Sequence, residues 1–294
     1  MRSCLYAAAL LLALPAGAQD HPAPPAGSNE IVVVGRDVPE DQVRAFVTGM
    51  TRSLSTKPLA RFDREELCPR AIGLAPNYEK AITERMRRVA AASKIRLARD
   101  DCQPNALVIF ANDKDAMIKL MRKGYPALFQ DAAGDSVTIP KEEGPAAAWH
   151  LTGLVDRDGR PLQSGGSGDP YVVRAFGSGS RISAMVRPVF LMSIVVIERG
   201  ALQGLTTTQV ADYAAMRAFT DADPARARKT GVPTILTVLE TPMGEAMPLS
   251  ITEWDLNFIR ALYAASPNLL APAQRGAISS QMKRALDKTG DAKR

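Results

Sequence analysis

Apolar positions along this chain recur at two spacings, and the switches between them mark out alternating helices and strands. Residues 39–54 place Val43, Phe46, Val47 and Met50 at helical spacing. Pro39 stands at a first-turn position, and Glu40 and Asp41 lie where the helix dipole favours acids. Residues 77–93 repeat the pattern with Ile82, Met86, Val89 and Ala90 turned inward. Between these two helices, residues 58–74 show no clear period and read as irregular or hairpin-like. Ile95 to Ala98 alternates as a strand, and Ala106 to Ala111 is an unbroken apolar run suited to a buried strand. Asp113 then caps a helix through Met121, and residues 30–35 form a short β-type run ahead of everything else. These pieces predict a compact α/β region over residues 30–135.

Residues 136–294 continue with both element types. Gly144 to Leu154, with Trp149 and His150, predicts a strand. Residues 163–169 predict a flexible loop that lacks the lysine and hydroxyl of a phosphate-binding turn. Residues 181–197 are the longest β-type stretch, and Pro188 predicts either a split into two strands or an edge position. Thr206 or Thr207 caps a helix reaching about Phe219. Residues 224–231 read as an exposed basic loop, and 233–239 as a short strand. Thr252 and Asp255 form a capping box before a stripe of Leu256, Ile259, Leu262 and Tyr263, and residues 272–288 form a last amphipathic helix. The fold class expected is α+β, a mixed sheet flanked by helices.

The first eighteen residues change the picture. Arg2 precedes an apolar run from Leu5 to Leu14, Pro15 breaks it, and Ala16-Gly17-Ala18 offers a small-residue cleavage site. That is the pattern of a secretory signal over 1–18, too short to span a bilayer. A Pro-rich, Gly-rich tether over 19–29 follows it. Export, with the periplasm as destination, sets an oxidising compartment. Cys68 and Cys102 remain after cleavage, and a disulfide between them is the default, with two buried thiols as the alternative.

The net charge of +6 is scattered. Its densest cluster, Arg85-Met86-Arg87-Arg88, reads as a solvated helix face, and without interleaved aromatics it gives no reason to expect nucleic acid. No second apolar run reaches membrane-spanning length.

Candidate chemistry is sparse. His21 lies in the tether, which leaves His150 alone in the folded part, too few histidines for the usual zinc sets. His150 reads as a satisfied structural residue or an exposed strand residue. No nucleophile motif is present, and Asp156 to Gly159 reads as a β-turn instead of a calcium loop. The expectation is no metal, no cofactor and no catalytic residue.

The segment Leu249 to Leu256, continuing through Ile259-Arg260-Ala261-Leu262-Tyr263, resembles the closing helix of matrixin-type metzincins. Ahead of it a strand over 192–197 and a helix from Gln209 to Met216 follow in the order of a zincin catalytic half. The resemblance implies a zincin-like C-terminal half, but a degenerate one. Gln209 and Tyr213 stand where zinc histidines would be, Val210 replaces the general base, and Thr234-Ile235-Leu236 replaces a methionine turn. The opening Ile31-Val32-Val33 run and the segments around Cys68 and Cys102 also resemble uncharacterised secreted proteins of Alphaproteobacteria, which supply no activity.

The function expected is therefore binding of a peptide or an envelope protein. The expected site is a groove lined by Gln209, Asp212 and Tyr213 against a sheet edge. Two alternatives remain open. One is a metal-independent envelope hydrolase built on Asp212, Tyr213 and Glu198. The other is a structural protein whose basic faces meet anionic polymer.

Overall fold

A computed structural model of the chain describes residues 38–292, apart from 53–56, 64–65, 133, 140–143, 163–179, 181 and 243. The expected signal, tether, first strand and 163–169 loop lie outside the described residues.

The chain is α+β. Helix α1 (Glu40–Gly49) buries Val43, Phe46 and Val47, as its spacing requires. It stops at Gly49, earlier than the apolar spacing suggests. Strand β1 (Pro69–Ile72) lies in the stretch read as irregular. At four residues it is too short to show a period. Helix α2 (Pro76–Ala92) buries the four expected side chains. Strand β2 (Ala106–Ala111) and helix α3 (Lys114–Gly124) follow, and the Asp113 carboxylate accepts from Ala116 N at 2.8 Å as the cap. The expected strand at Ile95 to Ala98 amounts to a single bridge between Leu67 and Leu97.

Strand β3 (Ala146–Asp156) runs into a turn in which Gly159 N donates to Asp156 O, which bears out the turn reading. Strand β4 (Val186–Glu198) is one continuous element, not split at Pro188. The sheet order is β1-β2-β4-β3, with β1, β2 and β4 parallel and β3 antiparallel to β4. β4 is thus an inner strand, yet β2 pairs only its Ser193–Glu198 portion. Along the earlier portion, Phe190 N donates away from β3, to Arg61 O at 2.9 Å. Pro188 shares that orientation, so its missing N–H falls where no strand needs it.

Helix α4 (Thr207–Phe219) begins with a capping box between Thr206 and Gln209. The expected basic loop contains a short helix, α5 (Pro224–Arg228), capped by Asp223. The expected strand at 233–239 is a 3₁₀ turn, Ile235–Thr237. Its Ile235 N–H is taken by the Asp255 carboxylate of helix α6 (Glu253–Ala264), at 2.8 Å, and so is absent from any ladder. Helix α7 (Ala271–Ala292) closes the chain.

The main core lies on one face of the sheet, where α1, α2, α4, α6 and α7 contribute Phe46, Met86, Met216, Phe258 and Met282. α3 covers the other face through Met121, above Trp149 and Phe129. Because β1 and β2 precede residue 136 and β3 and β4 follow it, both halves of the sequence share one sheet.

Candidate functional site

α4 is buried from Gln209 to Phe219, a helix enclosed on all sides. Its polar side chains are spent on internal bonds. The Gln209 Oε1 accepts from Thr206 N at 2.9 Å, and its Nε2 donates to Pro248 O at 2.8 Å. The Asp212 carboxylate receives a fork from Arg85, Nε at 2.7 Å and Nη2 at 2.9 Å, and a third bond from Ile251 N at 2.7 Å. The Tyr213 hydroxyl accepts from Arg217 Nη1 at 3.2 Å.

The expected groove across Gln209, Asp212 and Tyr213 is therefore closed, with the three residues only 2, 0 and 2 % exposed. A helix whose outer face packs against α2 and the segment leading into α6 has no room for a ligand there. Glu198 caps the start of α3, accepting from Lys114 N at 3.1 Å, and does not join the other two groups of the hydrolase reading. Of the arginine cluster on α2, Arg88 is exposed as a solvated face requires, but the other two arginines are engaged. Arg85 engages Asp212, and Arg87 donates to Ala98 O and pairs with Asp100.

β3 is the outer strand at one end of the sheet, but its first half is not open either, with Ala146 and Ala148 only 2 and 5 % exposed. The carbonyls of Thr152 and Leu154 point away from β4, since they accept from Ala132 N and Leu162 N. The two-residue period gives Ala146, Ala148 and His150 the same orientation. Among the described residues, no hydrogen bond from another segment reaches the outward backbone groups of these three. The opposite edge of the sheet is blocked. Pro69 has no N–H, and the Ala71 N–H donates to Thr83 Oγ1 at 3.0 Å.

The side chains of the same positions face α4. Ala146 and Ala148 join the main core, while His150 lies across from Ser193 of β4 and stacks on Phe190, with centroids 4.0 Å apart. The His150 Nε2 is shut off from water without a hydrogen-bond partner, as is the Ser193 Oγ. His150 is thus not the satisfied residue the sequence suggests.

Burial pushes its imidazole down to about 3, and the guanidiniums of Arg217 and Arg52 push the same way against the carbonyls of Ala218 and Arg217. Arg52 pairs with Asp223 at 3.2 Å. Burial also raises the Asp221 carboxyl, while Arg52 and Arg217 oppose that rise. The residue is nevertheless open to solvent, so water screens it and it counts as a rim carboxylate.

This site predicts a pH dependence. His150 stays neutral in the folded chain well below the pH at which the unfolded chain takes up a proton. Its contribution to stability is complete above about pH 6.5 and declines as pH falls toward the folded value, by at most about 1.4 kcal/mol per unit. Urea unfolding of wild type and His150→Phe at about pH 7 and pH 5 should show wild type losing up to about 2 kcal/mol more than the variant. Equal losses in the two proteins would mean that His150 is not held neutral.

Part of this site is visible in the sequence. Arg217 interrupts an alanine-rich apolar helix, and His150 follows Trp149 on a strand, but nothing in the sequence joins the two. No known protein family, curated protein or solved structure matches this chain.

Proposed function

We propose that this chain is a secreted, non-catalytic binding protein that takes a peptide or an envelope protein as its partner. The observation that carries the reading is that the polar side chains of α4, where the resemblance would put a catalytic centre, are buried and spent on bonds within the protein.

The order β4, α4, extended segment and capped α6 supports a degenerate zincin-like half. Gln209 and Tyr213, at the positions the resemblance gives to zinc histidines, are buried and engaged within the protein, which supports a role without catalysis. The Cys68–Cys102 disulfide supports export to an oxidising compartment. The hydrolase reading is the weaker one, because Asp212, Tyr213 and Glu198 have separate partners.

The test is an array of random peptides of about ten residues, probed with wild type. Peptides should be captured and recovered uncleaved, and cleaved peptides, or an array with no captured peptide, would overturn the reading.

A further inference from the structure

A groove of about 670 Å³ opens beside the Cys68–Cys102 disulfide, between strand β1 and the outer stripe of helix α2. Its helix wall runs from Pro76 past Lys80 and Glu84 to Arg88, each four residues from the last and so on one face. The rise from Pro76 to Arg88 is about 18 Å, the span of about five residues of extended chain. β1 and α2 run in opposite directions, since the Ala71 N–H meets Thr83 and the Gly73 N–H meets Glu79. Two residues along β1 thus match four along α2. Arg70 lies toward the disulfide and Arg88, and Ile72 toward Pro76.

The two ends of the groove differ in chemistry. Arg70 and Arg88 line it and are exposed, and among the described residues neither has a hydrogen-bond or ion-pair partner. The carboxylates on the same walls are engaged. Glu79 accepts from Gly73 N and Leu74 N, Asp100 pairs with Arg87 at 2.9 Å, and Glu84 lies 3.9 Å from Lys80. Two guanidiniums are left over at the disulfide end. At the other end Ile72, 37 % exposed, and Pro76 offer apolar surface.

We infer that this groove holds the partner as a peptide segment whose aspartate or glutamate carboxylate meets Arg70 and Arg88, with an apolar side chain against Ile72 and Pro76. This rests on the binding reading above and names the surface and the partner's chemistry. Pro69 and the occupied Ala71 N–H keep the segment from pairing as a further strand, so side chains make the contacts. A guanidinium fork suits a carboxylate better than a neutral group, and charge matching fixes register. A uniformly anionic polymer suits the groove less, because Glu79, Glu84 and Asp100 repel it along the same walls.

The probes are the peptides captured on the array, measured in solution on wild type and on Arg70→Gln/Arg88→Gln. Both side chains are exposed and unpaired, so the variant should melt within a few degrees of wild type. Captured peptides should lose at least about fivefold in affinity on it. They should lose about twofold or less on Lys119→Gln/Lys123→Gln, which removes the same charge from exposed positions of α3. Replacing the acidic residue of a captured peptide by its amide should cost about fivefold on wild type and almost nothing on Arg70→Gln/Arg88→Gln. Raising salt from about 50 to 300 mM should weaken the acidic peptide more than its amide form.

Captured peptides that bind Arg70→Gln/Arg88→Gln as tightly as wild type, or whose amide forms bind equally well, would overturn the inference and leave the binding reading standing. A polyphosphate chain that binds wild type more tightly than any captured peptide, and is lost with the same variant, would overturn the assignment of a peptide. An array with no captured peptide would overturn the binding reading and this inference with it.

Discussion

Asp212→Ala should destabilise the protein by about 3–5 kcal/mol, the range seen when one partner of a buried ion pair is removed. Asp212 has no exposed surface and accepts the Arg85 fork together with the Ile251 N–H. Its loss strands the Arg85 guanidinium, whose side chain is only 26 % exposed, and leaves a backbone donor of the segment entering α6 without its acceptor. The carboxylate joins α2, α4 and that segment at one point, so the damage reaches three parts of the main core. Asp212→Asn should cost less, because an amide oxygen can still accept from Ile251, yet it cannot match the charge on Arg85. Urea unfolding measures both variants. A loss below about 1 kcal/mol for the alanine variant would mean that the pair contributes no more than a surface salt bridge. The result would also bear on the hydrolase reading, since a carboxylate held this firmly is a structural clamp.

The parts of this fold legible in the sequence are those whose signal is local. α2 and α6 declare themselves through apolar spacing and, in α6, through a Thr252–Asp255 capping box that the structure forms with Asp255 N at 3.1 Å from Thr252 Oγ1. β2 is legible because a strand covered on both faces has no polar alternation to hide it. The elements misread depend on distant partners. β1 is a strand only because β2 pairs with it, and residues 233–239 form a turn because Asp255 captures Thr234 and Ile235. Pro188 sits within a long inner strand because β2 stops short of it.

The same distinction explains the site. The sequence singles out α4 for its polar residues but cannot say that Arg85, more than a hundred positions earlier, fills the space around Asp212. The grouping of His150 with Arg217 and Arg52 depends on the register of β3 against β4 and on where α4 ends. Neither is written in the apolar spacing. A lone histidine offers no motif, so only the structure shows that it is held neutral.

Replacing Cys68 and Cys102 with alanine should lower stability by about 3–4 kcal/mol, from the chain entropy regained by the unfolded state when a loop of this length is released. The bond joins residues 34 positions apart, just ahead of β1 and β2. The native contacts around it survive its removal. The Cys68 N–H still donates to Asn105 Oδ1 at 2.8 Å, and its carbonyl still accepts from Asn105 and Ala106. The loss should therefore appear as a shift in the denaturant midpoint without rearrangement of the sheet. Oxidised wild type, reduced wild type and the double variant are compared. Reduced wild type and the double variant should agree within about 1 kcal/mol, and a stability equal to that of the oxidised protein would mean that the crosslink does not constrain the unfolded chain.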